Sequence, residues 1–133
     1  MSLKARIRFD YQANAAEKRK FFWQHLDLTK IAEEKRAKQV SLLKNMPFQG
    51  LNIADLNSDH EIYLLPEGNN QPETAFAPVE LLVEADSIED LMQLTLREEF
   101  RKIKVIDPPE LFLTSSQVER FLFKVNEEYL TEV

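Results

Sequence analysis

The alternation of apolar and charged residues near the start of the chain is the clearest local pattern. Ala5, Ile7, Phe9 and Tyr11 point one way, and the residues between them are charged. A period of two residues is typical of a strand with one buried and one solvated face. The pattern therefore predicts a strand over 4–11.

A long helical region follows this strand. Residues 14–45 are rich in helix formers and are interpreted as one helix or two. The second part, 30–45, has a loose apolar stripe. Asp27 or Thr29 is placed to cap the second part, and Pro47 ends it. The polar segment 52–59 is interpreted as a connector.

The middle of the chain predicts a wide hairpin. Apolar residues in 60–65 and 78–85 indicate two short strands, the second with clear alternation. The segment 66–73 between them holds Gly68, two asparagines and two prolines. These residues favour turns, so this segment is expected to be an exposed loop.

The last third predicts helix, strand and helix, over 87–100, 102–107 and 116–131. Ser87 is the expected N-cap of the first of these helices. Ser116 and Glu119 have the spacing of a capping box at the start of the last one.

The last helix carries two sets of apolar residues. Its main stripe, at steps of three and four, consists of Val118, Phe121, Leu122, Val125 and Tyr129. Phe123 and Leu130 lie outside this stripe, and Phe112 and Leu113 precede the helix. These four residues are a candidate self-association surface; the alternative is scattered apolar surface of the ordinary kind.

The order strand, helix, strand, strand, helix, strand, helix indicates one α+β domain spanning 1–133. Its first six elements match a ferredoxin-like βαββαβ sandwich, to which the last helix is an addition. Right-handed crossovers place both inner helices on one face of the sheet and leave the other face open.

The open face is where the candidate ligand-binding residues lie. In this topology the first strand is central, so its arginines have Glu80 and Glu84 on one side and lysines on the other. The alternatives are cross-strand Arg–Glu pairs and a floor for a small anionic ligand. The candidate residues are Arg6, Arg8, Lys102 and Lys104.

Charge is distributed unevenly along the 133 residues. The net charge is −6, but eleven basic and five acidic residues precede Asn45, whereas six basic and 18 acidic residues follow it. The acidic total argues against binding to duplex DNA. No apolar run approaches the roughly 20 residues of a membrane span, and no secretory signal is present, so a cytoplasmic location is expected.

No catalytic or metal-binding constellation is evident. The chain has no cysteine, which excludes disulfides and thiolate zinc sites. Neither His25 nor His60 has a nucleophile at a recognisable spacing. Asp59, His60 and Glu61 alternate in direction on a strand and cannot converge on a metal. We therefore expect a non-enzymatic domain without cofactor or metal, and an enzyme with paired carboxylates is the weaker alternative.

RNA binding is also disfavoured by the predicted orientation of the aromatic residues. RNA-recognition modules stack bases on aromatic residues of the open face. Here Phe9 and Tyr11 share the inward face with Ile7. Basic residues without such aromatics bind single strands poorly.

Three segments together resemble a known family. They are Ser87-Ile-Glu-Asp-Leu91 up to Phe100, then Lys104-Val-Ile-Asp-Pro-Pro-Glu-Leu111, then the amphipathic helix ending at Tyr129. This run is similar to the C-terminal extension of WYL-domain transcriptional regulators. Ala5-Arg-Ile-Arg-Phe9, followed by Ala15-Ala16, resembles the opening of that domain.

The resemblance covers about two-thirds of the chain and implies a role in regulation. It implies a ferredoxin-like module for oligomerisation or effector sensing, as a homodimer or together with a fused or partner regulatory protein. The helical stretch to Asn45 and the loop around Pro72 are longer than the family pattern. The chain contains neither a winged helix nor a WYL module, so DNA binding is not implied.

Overall fold

The computed structural model describes residues 2–14, 27–66 and 73–132. Within these ranges the protein is α+β, with a five-stranded antiparallel open sheet and three helices. The strands are β1 (Leu3–Ala13), β2 (Leu51–Asn57), β3 (Tyr63–Pro66), β4 (Glu73–Ala85) and β5 (Phe100–Asp107). The helices are α1 (Leu28–Asn45), α2 (Met92–Thr95) and α3 (Ser115–Glu132). None of these helices is long and apolar enough to cross a membrane.

β1 is the central strand that organises the sheet. It pairs with β4 along its whole length and with β5 on its other edge. β2 and β3 lie one after the other along the outer edge of β4. The alternation in the sequence predicted β1 correctly, and the strand is longer than expected at both ends.

The core lies on one face of this sheet. Every second residue of β1 and β4 is buried there, beneath α1 and the residues around α2. Phe9 is the largest of the fully buried side chains. Burial of these apolar groups is the main favourable contribution to folding. The buried residues of the two strands are Leu3, Ala5, Ile7, Phe9, Tyr11, Ala13, Ala75, Ala77, Val79, Leu81, Val83 and Ala85.

α1 begins where the sequence predicted a cap. The Asp27 carboxylate accepts a hydrogen bond from the Lys30 amide at 2.7 Å, which satisfies one of the unpaired donors of the first turn. Ile31, Ala32 and Leu43 then face the core. The first part of the predicted helical region, 15–26, lies outside the described residues.

The prediction of a connector over 52–59 is wrong, because most of this segment is strand β2. Its register against β4 shifts between Ile53 and Asp55. This irregularity interrupts the alternation that identifies a strand in sequence. As an edge strand with only Leu51 buried, β2 tolerates more polar residues than a central strand.

β4 starts five residues before the predicted strand and contains Pro78 in its interior. Pro78 is opposite Asp10 of β1, and the Asp10 amide donates to the Glu99 carbonyl on the β5 side of that strand. Asp10 and Pro78 therefore exchange no hydrogen bonds with each other. The proline nitrogen faces the gap between β2 and β3, where no ladder bond is lost. Arg36 of α1 donates to the Pro78 carbonyl at 3.2 Å. On the other arm of the hairpin, β3 is shorter than the predicted 60–65 strand.

The helix predicted over 87–100 is present but much shorter. A 3-10 turn, Glu89–Leu91, leads into the single turn of α2, and β5 already starts at Phe100. Ser87 does not cap a backbone amide; its hydroxyl donates to the Asp90 carboxylate at 2.8 Å. The tighter 3-10 turn eclipses residues three apart. Leu91, the last residue of this turn, and Leu94 in α2 both reach the core.

α3 forms as predicted, with a capping box two residues earlier than expected. The Thr114 hydroxyl accepts from the Gln117 amide at 3.2 Å, and the Gln117 side chain accepts from the Thr114 amide at 2.8 Å. Thr114–Gln117 and Ser116–Glu119 have the same spacing in sequence. The earlier pair satisfies the donors where the helix begins, at Ser115.

Candidate functional site

The four predicted ligand-binding cations lie together on the open face of the sheet. Arg6 is directly opposite Lys104, and Arg8 is opposite Lys102 on the next register position of the same face. Like charges directly opposite each other on neighbouring strands destabilise a sheet. No ion pair joins Arg6, Lys102 or Lys104 to another described residue. An anion bound above this row would relieve the repulsion.

The predicted Arg–Glu pairs between β1 and β4 do not form among the described residues. The strands are neighbours as expected, and Arg8 is opposite Glu80. However, Arg8 bonds to Asp10 of its own strand, and Glu80 lies 3.6 Å from the His60 imidazole. Arg8 and Asp10 can pair because residues two apart on a strand share one face.

Asp10 is the centre of a buried polar cluster on the open face. It is 5% exposed. Its carboxylate accepts from the Tyr63 hydroxyl at 2.7 Å and from Arg8 Nε at 3.0 Å, and Arg101 Nε is 3.9 Å away. Burial of a carboxylate is costly unless it is hydrogen-bonded and paired. The hydrogen bond with Asp10 raises the pKa of Arg8 above its ordinary value.

Aromatic residues border this cluster. The rings of Tyr63 and Phe76 stack with centroids 5.1 Å apart at an angle of 16°. Beside them is a small cleft of about 210 Å³, which Arg8, His60 and Tyr63 help to line. The cleft therefore combines a cation, an imidazole and a phenol.

A second tyrosine, Tyr11, lies on the core face of the sheet. It is 3% exposed, and its buried hydroxyl has no hydrogen-bond partner among the described residues. Burial raises the pKa of Tyr11, and nearby Glu99 raises it further, whereas Arg97 lowers it. The residue borders a cleft of about 390 Å³ at the end of β1 beyond the last β5 pair.

α3 presents a large apolar surface to solvent. Its main stripe does not pack against the described core; only Phe121 is half-buried. The ion pair between Arg120 and Glu89, at 3.1 Å, holds the helix beside the 3-10 turn. The exposed residues are Phe112 at 79%, Val118 at 40%, Leu122 at 59%, Phe123 at 68%, Val125 at 41%, Tyr129 at 66% and Leu130 at 64%.

Three of the four predicted interface residues belong to this surface. Phe112, Phe123 and Leu130 are exposed, and Leu113 is half-buried. We define the α3 surface as the seven exposed residues together. Exposure of the main stripe is not evident from sequence, because an amphipathic pattern does not say which partner it packs against.

The remaining sequence candidates do not converge. His60 lies just before β3 beside Glu80, and His25 lies outside the described residues. In the described ranges no three His, Asp or Glu side chains are grouped to hold a metal ion.

No protein-family model matches this chain, and no curated protein sequence matches it. What the chain does is therefore inferred from its own side chains.

Proposed function

We propose that this chain is a non-enzymatic regulatory and interaction domain that forms a homodimer through the α3 surface. The observation that carries the proposal is the exposure of seven large apolar residues on and just before one helix. The resemblance to the extension of WYL regulators suggests the context: an oligomerisation or effector-sensing module of a transcriptional regulator.

The size of the α3 surface supports association. With accessible areas of about 150–250 Å² for a large apolar residue, the seven residues expose on the order of 800 Å². The largest apolar patch of a typical monomer is about 300–600 Å². A stable interface takes about 800 Å² from each partner. The seven residues together thus expose more apolar area than the usual patch of a monomer, although Phe123 and Leu130 lie about 120–140° around the helix from Val118 and do not share one face with it.

The ferredoxin-like topology is part of the same proposal. Its support is the strand order, in which β1 separates β4 from β5, and β2 and β3 occupy the far edge of β4. If β2 and β3 count as one interrupted strand, this is the arrangement of a split βαβ fold. α1 and the turn around α2 both cover the same face.

A charge placed in the α3 surface tests the proposal. The wild-type chain is expected to sediment as a dimer at micromolar concentration. Leu122→Glu should raise the dimer dissociation constant by about tenfold or more, because it buries a charge at the centre of the interface. Analytical ultracentrifugation gives both constants, and circular dichroism verifies folding.

The matched control is Leu64→Glu on β3. Leu64 is exposed to a similar degree, at 44%, but lies outside the α3 surface. This variant should dimerise like wild type. A monomeric wild-type chain, or equal weakening by both variants, would refute the proposed homodimer.

A second candidate function is supported by the cation row, which we define as Arg6, Arg8, Lys102 and Lys104. We propose it as the alternative: the open face binds a small anion between Arg6, Arg8, Lys102 and Lys104. The observation in its favour is the opposition of Arg6 and Lys104 without an acidic partner among the described residues.

Thermal unfolding with inorganic pyrophosphate as the probe tests this alternative. Binding to the native state should raise the wild-type melting temperature. Lys104→Gln should abolish that shift and, without the probe, should itself raise the melting temperature by removing like-charge repulsion. Lys38→Gln on the exposed side of α1 is the control and should retain the shift. Absence of any shift in the wild-type chain would exclude this function for pyrophosphate-like anions.

A further inference from the structure

We infer that the α3 helices of two copies pair antiparallel, with Val118 of each copy against Tyr129 of the other. The inference rests on the proposed homodimer and adds its geometry. It is drawn from the spacing of the exposed stripe, the sizes of its side chains and the charges at the helix ends.

The four exposed residues of the main stripe have the spacing of a seam between two paired helices. Val118, Leu122, Val125 and Tyr129 follow each other at alternating steps of four, three and four, which is the spacing of the apolar positions of a heptad. A repeat of 3.5 residues keeps apolar side chains on one line between two supercoiled helices. Phe121, the remaining residue of the main stripe, is half-buried and lies outside this seam of four exposed residues.

Side-chain size favours the antiparallel orientation. In an antiparallel pair the small Val118 faces the large Tyr129 of the second copy, and Leu122 faces Val125. Each layer then has a similar volume, which is the condition for close packing. A parallel pair would oppose two tyrosines at one end and two valines at the other.

The charges of the helix agree with this orientation. The last two turns of α3 hold Glu127 and Glu128, of which Glu128 is ion-paired to Lys124 at 3.0 Å, whereas the first turn has no acidic residue. In a parallel pair these acidic ends would meet. In the antiparallel pair they approach the positive end of the partner helix, which favours negative charge.

The face by which α3 contacts its own chain is compatible with a two-fold pair. The half-buried positions Gln117, Phe121, Lys124 and Glu128 form a line about 100° around the helix from the four seam residues. The seam therefore points sideways relative to the rest of the chain, which we call the body. Both bodies would lie on one side of the helix pair, as a two-fold axis through its centre requires.

Phe123 is not part of this seam. It lies about 140° around the helix from Val118, on the side away from the body. It is exposed like the seam residues, at 68%, and so provides a matched control on the same helix.

Cysteine cross-linking distinguishes the orientations, and the cysteine-free chain gives no background. Val118→Cys and Tyr129→Cys are prepared separately, mixed and oxidised with copper phenanthroline. In the antiparallel pair the mixture should form the 118–129 disulfide. Either variant alone should stay uncrosslinked, because identical positions are about 16 Å apart along the pair, and a disulfide needs Cβ atoms within about 4.5 Å.

The controls and outcomes separate this inference from the dimer itself. Phe123→Cys should not cross-link alone or with either variant. Disulfides within each single variant, but not in the mixture, would establish parallel pairing and overturn the inference. A dimer in the ultracentrifuge without specific cross-links would also overturn it, while the homodimer would stand. A monomer in the ultracentrifuge would refute both.

Discussion

Replacement of Phe9 by alanine is expected to lower the free energy of unfolding by about 3–5 kcal/mol. The ring is fully buried at the centre of the sheet, in edge-to-face contact with Tyr11 at 6.2 Å. Truncation removes buried apolar area and leaves a cavity. It also deprives the Arg97 guanidinium, 5.9 Å from the ring centroid, of its aromatic partner. Urea denaturation followed by circular dichroism gives the difference.

Phe112→Ala is the matched control for this measurement. The same atoms are deleted, but Phe112 is 79% exposed. Its effect on unfolding should stay within about 0.5 kcal/mol at a chain concentration low enough to prevent association. A loss below about 1 kcal/mol for Phe9→Ala would contradict the position of Phe9 in the core.

Removal of the hydroxyl groups of Tyr63 and Tyr11 is expected to change stability in opposite directions. Tyr63 donates to the Asp10 carboxylate at 2.7 Å, so Tyr63→Phe should cost about 1.5–3 kcal/mol, as for hydrogen bonds to charged groups. The buried Tyr11 hydroxyl has no partner in the described part of the chain, so Tyr11→Phe should gain about 1 kcal/mol. Parallel urea titrations of the two variants measure both. A loss on Tyr11→Phe would mean that this hydroxyl has a partner in solution.

The same two tyrosines predict how stability depends on alkaline pH. Burial raises the pKa of Tyr11, and burial together with the bond to Asp10 raises the pKa of Tyr63. In the unfolded chain a tyrosine ionises near pH 10. The folded state therefore favours the neutral phenols, and their contribution is complete below about pH 10 and decreases above it. Tyr11→Phe should reduce the alkaline loss of stability; an unchanged loss would contradict the raised pKa.

The sequence predicted those parts of the fold that depend on local pattern. The alternation in β1 was sufficient to identify its buried face, because a central strand must separate its two faces. Asp27 and the helical spacing of α3 likewise defined helices by their own chemistry. Residues 52–59 were misassigned because a register shift in an edge strand removes the alternation.

The candidate site was predictable only in part. The opposition of Arg6 and Lys104 followed from the strand order. The Asp10 cluster did not, because Tyr63 is separated from Asp10 by 53 positions and its approach depends on where β3 meets β4. The exposure of α3 was missed for a different reason: an apolar stripe has the same sequence pattern whether it contacts its own chain or another.

The two faces of β1 make this domain easy to redesign in separate steps. Side chains at the odd positions of the strand are buried in the core. Lys4 and Arg6, at even positions, are exposed to solvent. Substitutions at Lys4, Arg6, Lys102 and Lys104 should leave the core packing undisturbed, because these side chains lie on the opposite face of the sheet. Asp10 is the exception, since this buried even position is tied to three other side chains. A library that varies the cation row and keeps Asp10 fixed would vary ligand preference on a constant scaffold.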